Sequence, residues 1–203
     1  MGVTDNEEVR VPGGIDLSRW LGARKEGLVE NWMHELQARE LGGGSGGPAL
    51  VRRFASQLVE LLPEMVGPYR NQIESRWDRL SELYGAVAAK RGLAAGEAID
   101  ELHVLRELVI RELYRDPPGH CDAPLVLREF LRLNRSLDRA VTHVSVGHTD
   151  ALFFQFFEGD GVAVPALAAD AFGAQAEEQL AEIASEVADI LRQAPWNDGA
   201  REH

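Results

Sequence analysis

The sequence contains a single cysteine, Cys121, so an internal disulfide bond is excluded. A lone cysteine is typical of proteins from a reducing cytoplasm. Cys121 follows His120, and such a pair suggests a reactive thiol or half of a metal site, but no second cysteine accompanies it. We therefore interpret this segment as an ordinary loop and expect no metal site in it.

The sequence also lacks a long apolar run and an excess of basic residues. No run approaches the roughly 20 apolar residues that a membrane-spanning helix needs, and the acidic residues 1–14 do not resemble a signal peptide. The formal net charge is −12. Since nucleic acids and anionic membranes both select basic surfaces, we expect neither as a partner and predict a cytoplasmic location.

The short motifs that mark common catalytic sites are missing from the sequence. It has no Glu-x-x-His pair of the di-iron type, no His-Glu-x-x-His zinc motif and no Gly-x-Ser-x-Gly elbow. The glycine-rich run 42–47 lacks the Lys-Ser/Thr ending of a phosphate-binding loop and follows a predicted helix, so we interpret it as a linker. We expect no enzymatic activity and no cofactor.

Helical periodicity, by contrast, extends along most of the chain, and strand signals are nearly absent. We predict an all-α fold of about five core helices plus a C-terminal helix. The division is a flexible N-terminus (1–14), a helical domain (15–148), an aromatic segment with the C-terminal helix (149–193) and a disordered tail (194–203). The predicted helices begin near Asp16, Pro48, Asn71, Gly96, Asp122 and Pro165. Five of them end near Glu40, Val66, Lys90, Tyr114 and Gln193, with Pro63 ending or kinking the second, and the fifth carries an apolar stripe as far as Val144.

Arg106 is the most unusual residue of the predicted core. It projects from the apolar stripe of its helix, where its guanidinium, which cannot lose its proton, requires an acceptor. The next helix carries Asn134 within its own apolar stripe and Asp138 at the edge of that stripe. We expect Arg106 to reach Asn134 or Asp138 and to act as a buried clamp between the two helices.

Three histidines are candidates for ligand binding. His143 and His148, with Asp150, form the grouping most similar to a metal site. They are five residues apart and face different sides of a helix, so they converge only if the helix breaks at Gly147. His103 flanks the apolar stripe and is the candidate for haem ligation, but we interpret it as a structural residue.

The segment after residue 150 concentrates aromatic residues: Phe153, Phe154, Phe156 and Phe157. These side chains form either core or interface packing or, alternatively, the wall of a ligand pocket closed by the last helix. The last helix has apolar residues spaced by three and four. This spacing suits a coiled-coil seam for dimerisation and equally suits packing against its own bundle.

A set of short stretches resembles the N-terminal sensor domain of RsbR-type stressosome proteins, which also heads some bacterial sensor histidine kinases. The resemblance covers about residues 17 to 148. The stretches that carry it are Leu80-Ser-Glu-Leu-Tyr84, Arg91-Gly92, Ala98-Ile-Asp-Glu101, Val104-Leu105-Arg106-Glu107 and Leu137-Asp138-Arg139-Ala140.

The resemblance implies a globin-like fold that binds no haem, is usually dimeric and acts as an input module for signal transduction in stress responses. In that family an anti-sigma-antagonist (STAS) domain or a kinase core normally follows, whereas only about 55 residues follow position 148 here. We therefore expect a non-enzymatic sensor or adaptor that works as a homodimer and contacts a signalling protein. The alternative is a small-molecule or haem-binding protein with a pocket near His103, Arg106 and Phe153–Phe157.

Overall fold

The computed structural model describes residues 17–39, 47–118, 123–158 and 166–193, and these ranges contain helices and no strand. The predicted all-α class is therefore confirmed. The helices of the described residues are α1 (Leu17–Gly22), α2 (Lys25–Ala38), α3 (Gly47–Val66), α4 (Arg70–Lys90), α5 (Ala95–Arg115), α6 (Ala123–Glu158) and α7 (Ala166–Gln193).

The first predicted helix is in fact two helices, α1 and α2, separated by a turn at residues 23–24. Two tryptophans on either side of the turn anchor to α5, one at its C-terminal end and the other in its N-terminal half. The Trp20 indole donates to the backbone oxygen of Asp116 at 2.8 Å, and the Trp32 indole donates to that of Glu101 at 2.8 Å. In an uninterrupted helix, the number of residues between the two tryptophans would alone fix the distance and angle between their indoles. The turn changes this distance and angle, so that each indole reaches its own acceptor on α5.

The aromatic segment is not a separate element, because α6 continues without interruption from Ala123 to Glu158. The predicted boundary between residues 148 and 149 therefore lies inside α6. Gly147 does not break α6, and Pro63 lies inside α3 without ending it. The missing side chain of Gly147 serves instead to let α4 approach α6 closely.

The crossing of α4 and α6 lies at the centre of the bundle and depends on two glycines. A Cβ added at Gly147 would lie 2.5 Å from the carbonyl carbon of Glu82, and closer still to its oxygen. A Cβ at Gly85 would lie 2.8 Å from the backbone nitrogen of His148. Each glycine thus makes room for the backbone of the other helix.

The C-terminal helix α7 packs on α3 and α4 of its own bundle. Its buried residues are Ala176, Leu180, Ile183 and Val187. Two arginines of α4 hold its flank, since Arg76 Nε and Arg79 Nη1 each contact Glu186 at 2.8 Å. Of the two roles that the spacing allowed for this helix, its apolar face thus serves packing within the chain.

All seven helices of the described residues contribute buried apolar residues to the core, and its largest fully buried side chains belong to α1 to α4. These large side chains are Trp32, Trp77, Tyr84, Phe54, Leu21, Leu28, Leu36, Leu58, Leu61, Leu62, Met65 and Ile73.

No helix among the described residues is both long enough and apolar enough to cross a membrane.

Candidate functional site

A network of polar side chains lies inside the apolar core, where α4 turns into α5. It consists of Tyr84 of α4, Arg91 directly after α4, and Glu101 of α5. The Arg91 guanidinium contacts Glu101 through both terminal nitrogens, with Nη2 to Oε1 at 2.8 Å and Nη1 to Oε2 at 3.2 Å. The Tyr84 hydroxyl donates to Oε2 of the same carboxylate. Both charged side chains are buried.

The connection between α4 and α5 places these groups opposite each other. Gly92 follows Arg91 with a φ of 82°, a left-handed conformation that favours glycine and reverses the chain. The Ala94 backbone nitrogen then donates to the Glu97 carboxylate at 2.7 Å, which caps the start of α5. Glu101 follows one turn later and faces back toward Arg91. The tight turn therefore sets the register of the buried ion pair.

The electrostatics of the network favour one protonation pattern. Burial opposes the charge of Arg91, but the hydrogen bonds and negative charge of Glu101 outweigh it and raise the pKa of the guanidinium. Burial, together with the carboxylate of Glu101, raises the pKa of Tyr84 well above its ordinary value. Tyr84 is thus a neutral hydrogen-bond donor beside a bidentate arginine–glutamate pair. Such an arrangement holds the side chains of the network in defined positions relative to one another.

The raised pKa of Tyr84 predicts a distinct alkaline behaviour. Near pH 11 the unfolded chain should ionise all three of its tyrosines, whereas the folded chain should keep Tyr84 protonated. Stability from this group is present below the unfolded pKa of about 10 and is lost as the pH rises through the folded pKa. Tyrosinate absorbance of folded wild type and Tyr84→Phe should therefore match up to pH 11. A larger folded-state signal in the wild type would contradict this.

Arg106, the residue singled out from the sequence, contacts Asp138 at 2.5 Å from Nη2 to Oδ1. The other expected partner, Asn134, instead donates to the backbone oxygen of Phe130 at 2.9 Å. The pair lies at the edge of the α5–α6 contact, where the Arg106 side chain is 24% exposed and that of Asp138 is 64% exposed. Arg106 therefore joins the two helices as expected, but it is not buried.

Of the residues expected to line a ligand pocket, those that the structure describes are not brought together. His103 is half-exposed, and its Nδ1 lies 3.6 Å from Oδ1 of Asp100 in the same helix. Phe153 and Phe154 are exposed. Arg106 contacts α6 at Asp138, and Phe153 follows Asp138 by 15 residues. This spacing corresponds to about 22 Å along the helix, so Phe153 lies far from Arg106. The side chains of Phe156 and Phe157 lie outside the described residues.

The histidines near Gly147 take separate structural roles. His143 Nδ1 contacts Glu82 Oε1 at 2.7 Å, and His148 donates from Nε2 to the backbone oxygen of Leu93 at 2.8 Å. Because α6 does not break, these histidines do not converge with Asp150. Within the described ranges no group of three or more acidic, histidine or cysteine residues is arranged to hold a metal ion. Cys121 and His120 lie outside the described residues.

The contact among Tyr84, Arg91 and Glu101 was not predicted, because these residues were noted only as parts of separate stretches of the resemblance. A usable signal was nevertheless present. Glu101 stands in register with Ala98, Leu105 and Leu108, at spacings of three and four that place it on the apolar face of α5. A carboxylate in that position requires a buried cation or hydrogen-bond donors.

The residues of this network coincide with the stretches that carry the resemblance stated above. Comparison with models of protein families, with curated proteins and with solved structures gave no match to this chain.

Proposed function

We propose that this chain is a non-enzymatic cytoplasmic signalling domain of the RsbR N-terminal type, with a globin-like arrangement of helices, which acts as a homodimer. Its signal would pass through relative movement of helices at the dimer interface and on to a signalling protein. Two features support the proposal: contacts among the motif residues, and an exposed apolar surface at the end of α6.

The motif residues support the proposal because they contact one another. Tyr84 and Arg91 both bind Glu101, although they come from three separate stretches. Arg106 binds Asp138, which joins two further stretches. Short motifs that occur by chance have no reason to meet in the fold. Their convergence on two polar contacts favours a common structural origin for the set.

The observation that carries the functional part of the proposal is the exposed apolar surface near the end of α6. Leu152 is 46% exposed, Phe153 58% and Phe154 60%. The rings of Phe153 and Phe154 lie edge to face, with centroids 6.3 Å apart. Contiguous exposed apolar residues of this size mark protein interaction sites, because leaving them in water is unfavourable. Aromatic side chains are also enriched among the residues that dominate binding energy.

Substitution of both phenylalanines should therefore convert the dimer to a monomer. We expect wild type to sediment as a dimer at micromolar concentration and Phe153→Asp/Phe154→Asp to sediment as a monomer, because the charges oppose burial of this surface. Analytical ultracentrifugation measures both, and far-ultraviolet circular dichroism should report the same helix content.

The matched control is Tyr114→Asp, which replaces an aromatic side chain that is 91% exposed at the end of α5. This variant should remain dimeric. A wild type that stays monomeric up to high concentration would contradict the homodimer, and so would a double variant that dimerises as well as wild type.

A further inference from the structure

One face of α6 remains exposed along most of its length. We call it the outer face; it is opposite the residues that pack on α4 and α5. Its members follow a spacing of three and four and form a single ridge, except Asp150, which lies beside Thr149 at the flank of that ridge. They are Leu131, Arg135, Asp138, Thr142, Val146, Thr149, Asp150 and Phe153, and all of them are exposed.

Two large apolar residues of the outer face lie symmetrically about Thr142. Leu131 precedes Thr142 by 11 residues and Phe153 follows it by 11, so the two large apolar side chains lie about 16 Å to either side. Both are substantially exposed, at 44% and 58%. The small residues Thr142 and Thr149 donate their hydroxyls to the backbone of α6 itself, which leaves their methyl groups available for packing.

Two charged residues of opposite sign lie on the two sides of Thr142, while the third charged residue of the outer face, Asp138, pairs with Arg106 of α5. Arg135 lies seven residues before Thr142 and Asp150 lies eight residues after it. Neither forms an ion pair with any part of the chain that the structure describes. Arg135 and Asp150 are too far apart to pair within one helix. Arg135 of one α6 can form an ion pair with Asp150 of a second α6 when the two helices run in opposite directions.

We propose that the outer face binds the outer face of a second copy of this chain, with the two α6 helices antiparallel about a two-fold axis near Thr142. This inference rests on the proposed function and specifies its interface. Leu131 of one copy then packs against Phe153 of the other at both ends, and Arg135 pairs with Asp150 twice.

The parallel arrangement of the same two helices is disfavoured by the same residues. It places Arg135 opposite Arg135 and Asp150 opposite Asp150, and like charges in an interface raise its free energy. The antiparallel arrangement replaces both repulsions by attractions. Charge and apolar pattern therefore select the same orientation.

A charge exchange tests the pairing without removing any buried group. Arg135→Glu alone and Asp150→Arg alone should each raise the dimer dissociation constant about tenfold or more, because each creates two repulsive contacts. The combined Arg135→Glu/Asp150→Arg variant should return to within about threefold of wild type. Arg115→Glu, an equal change at an exposed residue of α5, should leave the constant unchanged. Sedimentation equilibrium measures all of these.

Cysteine cross-linking tests the orientation independently. In a Cys121→Ser background, Thr142→Cys should form a disulfide-linked dimer on mild oxidation, because the two-fold axis places residue 142 of both copies together. Thr149→Cys should not, since the two copies of residue 149 are then separated by about 21 Å along the helices. A parallel dimer would cross-link at both positions and would overturn the inference.

The outcomes separate this inference from the proposed function. If wild type is a dimer but the exchanged variant is not restored and Thr142→Cys does not cross-link, the antiparallel α6 interface is wrong while the proposed dimeric function stands. If wild type is a monomer, both are wrong. Recovery in the exchanged variant together with cross-linking at residue 142 alone supports both.

Discussion

Glu101→Ala is expected to lower the free energy of unfolding by about 4 kcal/mol, as is usual when one partner of a buried ion pair is removed. The substitution removes the carboxylate that both terminal nitrogens of Arg91 contact, and it leaves the Tyr84 hydroxyl without this acceptor. The guanidinium cannot lose its proton, so its charge stays in the core. Equilibrium unfolding in urea, followed by circular dichroism, measures the change.

The matched control for this prediction is Glu107→Ala, the same substitution at an exposed position of the same helix. Glu107 contacts Arg39 and Arg111 at the surface, and exposed pairs of this kind contribute at most about 1 kcal/mol. Glu101→Gln keeps the shape and should lie between the two. Equal losses for Glu101→Ala and Glu107→Ala would show that the buried network does not stabilise the fold.

Gly147→Ala is expected to destabilise the protein by about 3 kcal/mol, the upper part of the usual range for overpacking. The new Cβ overlaps the backbone of Glu82, which cannot rotate away as a side chain would. Relief requires α4 and α6 to separate along their whole contact. Alanine is otherwise the better helix former by about 1 kcal/mol, so a net loss isolates the effect of the crossing.

Gly173→Ala in α7 is the control, because a Cβ at that position meets nothing within 4 Å. It should leave stability unchanged or raise it by up to about 1 kcal/mol through helix propensity. Thermal and urea unfolding of both variants compare the two sites directly. A Gly147→Ala variant as stable as Gly173→Ala would mean that the helices do not approach as closely as described.

The crossing at Gly85 and Gly147 also connects the fold to the proposed function. It holds the middle of α6 against α4, so the opposite face of the same helix is presented outward. Thr142 and Phe153, on that outer face, lie on either side of Gly147 in the sequence. Any movement of α4 at the crossing would therefore shift the proposed interface directly.

Helix positions were largely predictable because the signal is local. Apolar residues spaced by three and four indicate a helix wherever they recur, and α4 and α5 begin and end within about a residue of the predicted positions. Prediction failed where a local signal had two meanings. The phenylalanines after residue 150 suggested a separate segment, whereas α6 continues through them and Gly147 serves close packing inside that helix.

The candidate site was predictable only in part. Arg106 was notable because an arginine within an apolar stripe is unusual, and its partner Asp138 stood at the edge of the neighbouring stripe. Arg91 and Glu101 were notable only as members of separate stretches of the resemblance, which does not indicate that they meet. Their pairing depends on the angle that the Gly92 turn imposes between α4 and α5, and residue spacing does not contain that angle.

The sequence by itself determined the all-α class, most helix positions and the acidic character of this protein, because periodicity and charge are properties of neighbouring residues along one chain. Only the tertiary structure decided that Glu101 meets Arg91 in the core, that Gly85 and Gly147 let α4 and α6 approach closely, and that the outer face of α6 stays exposed. Each of these depends on how separate helices are placed relative to one another, and that placement follows from packing over the whole bundle.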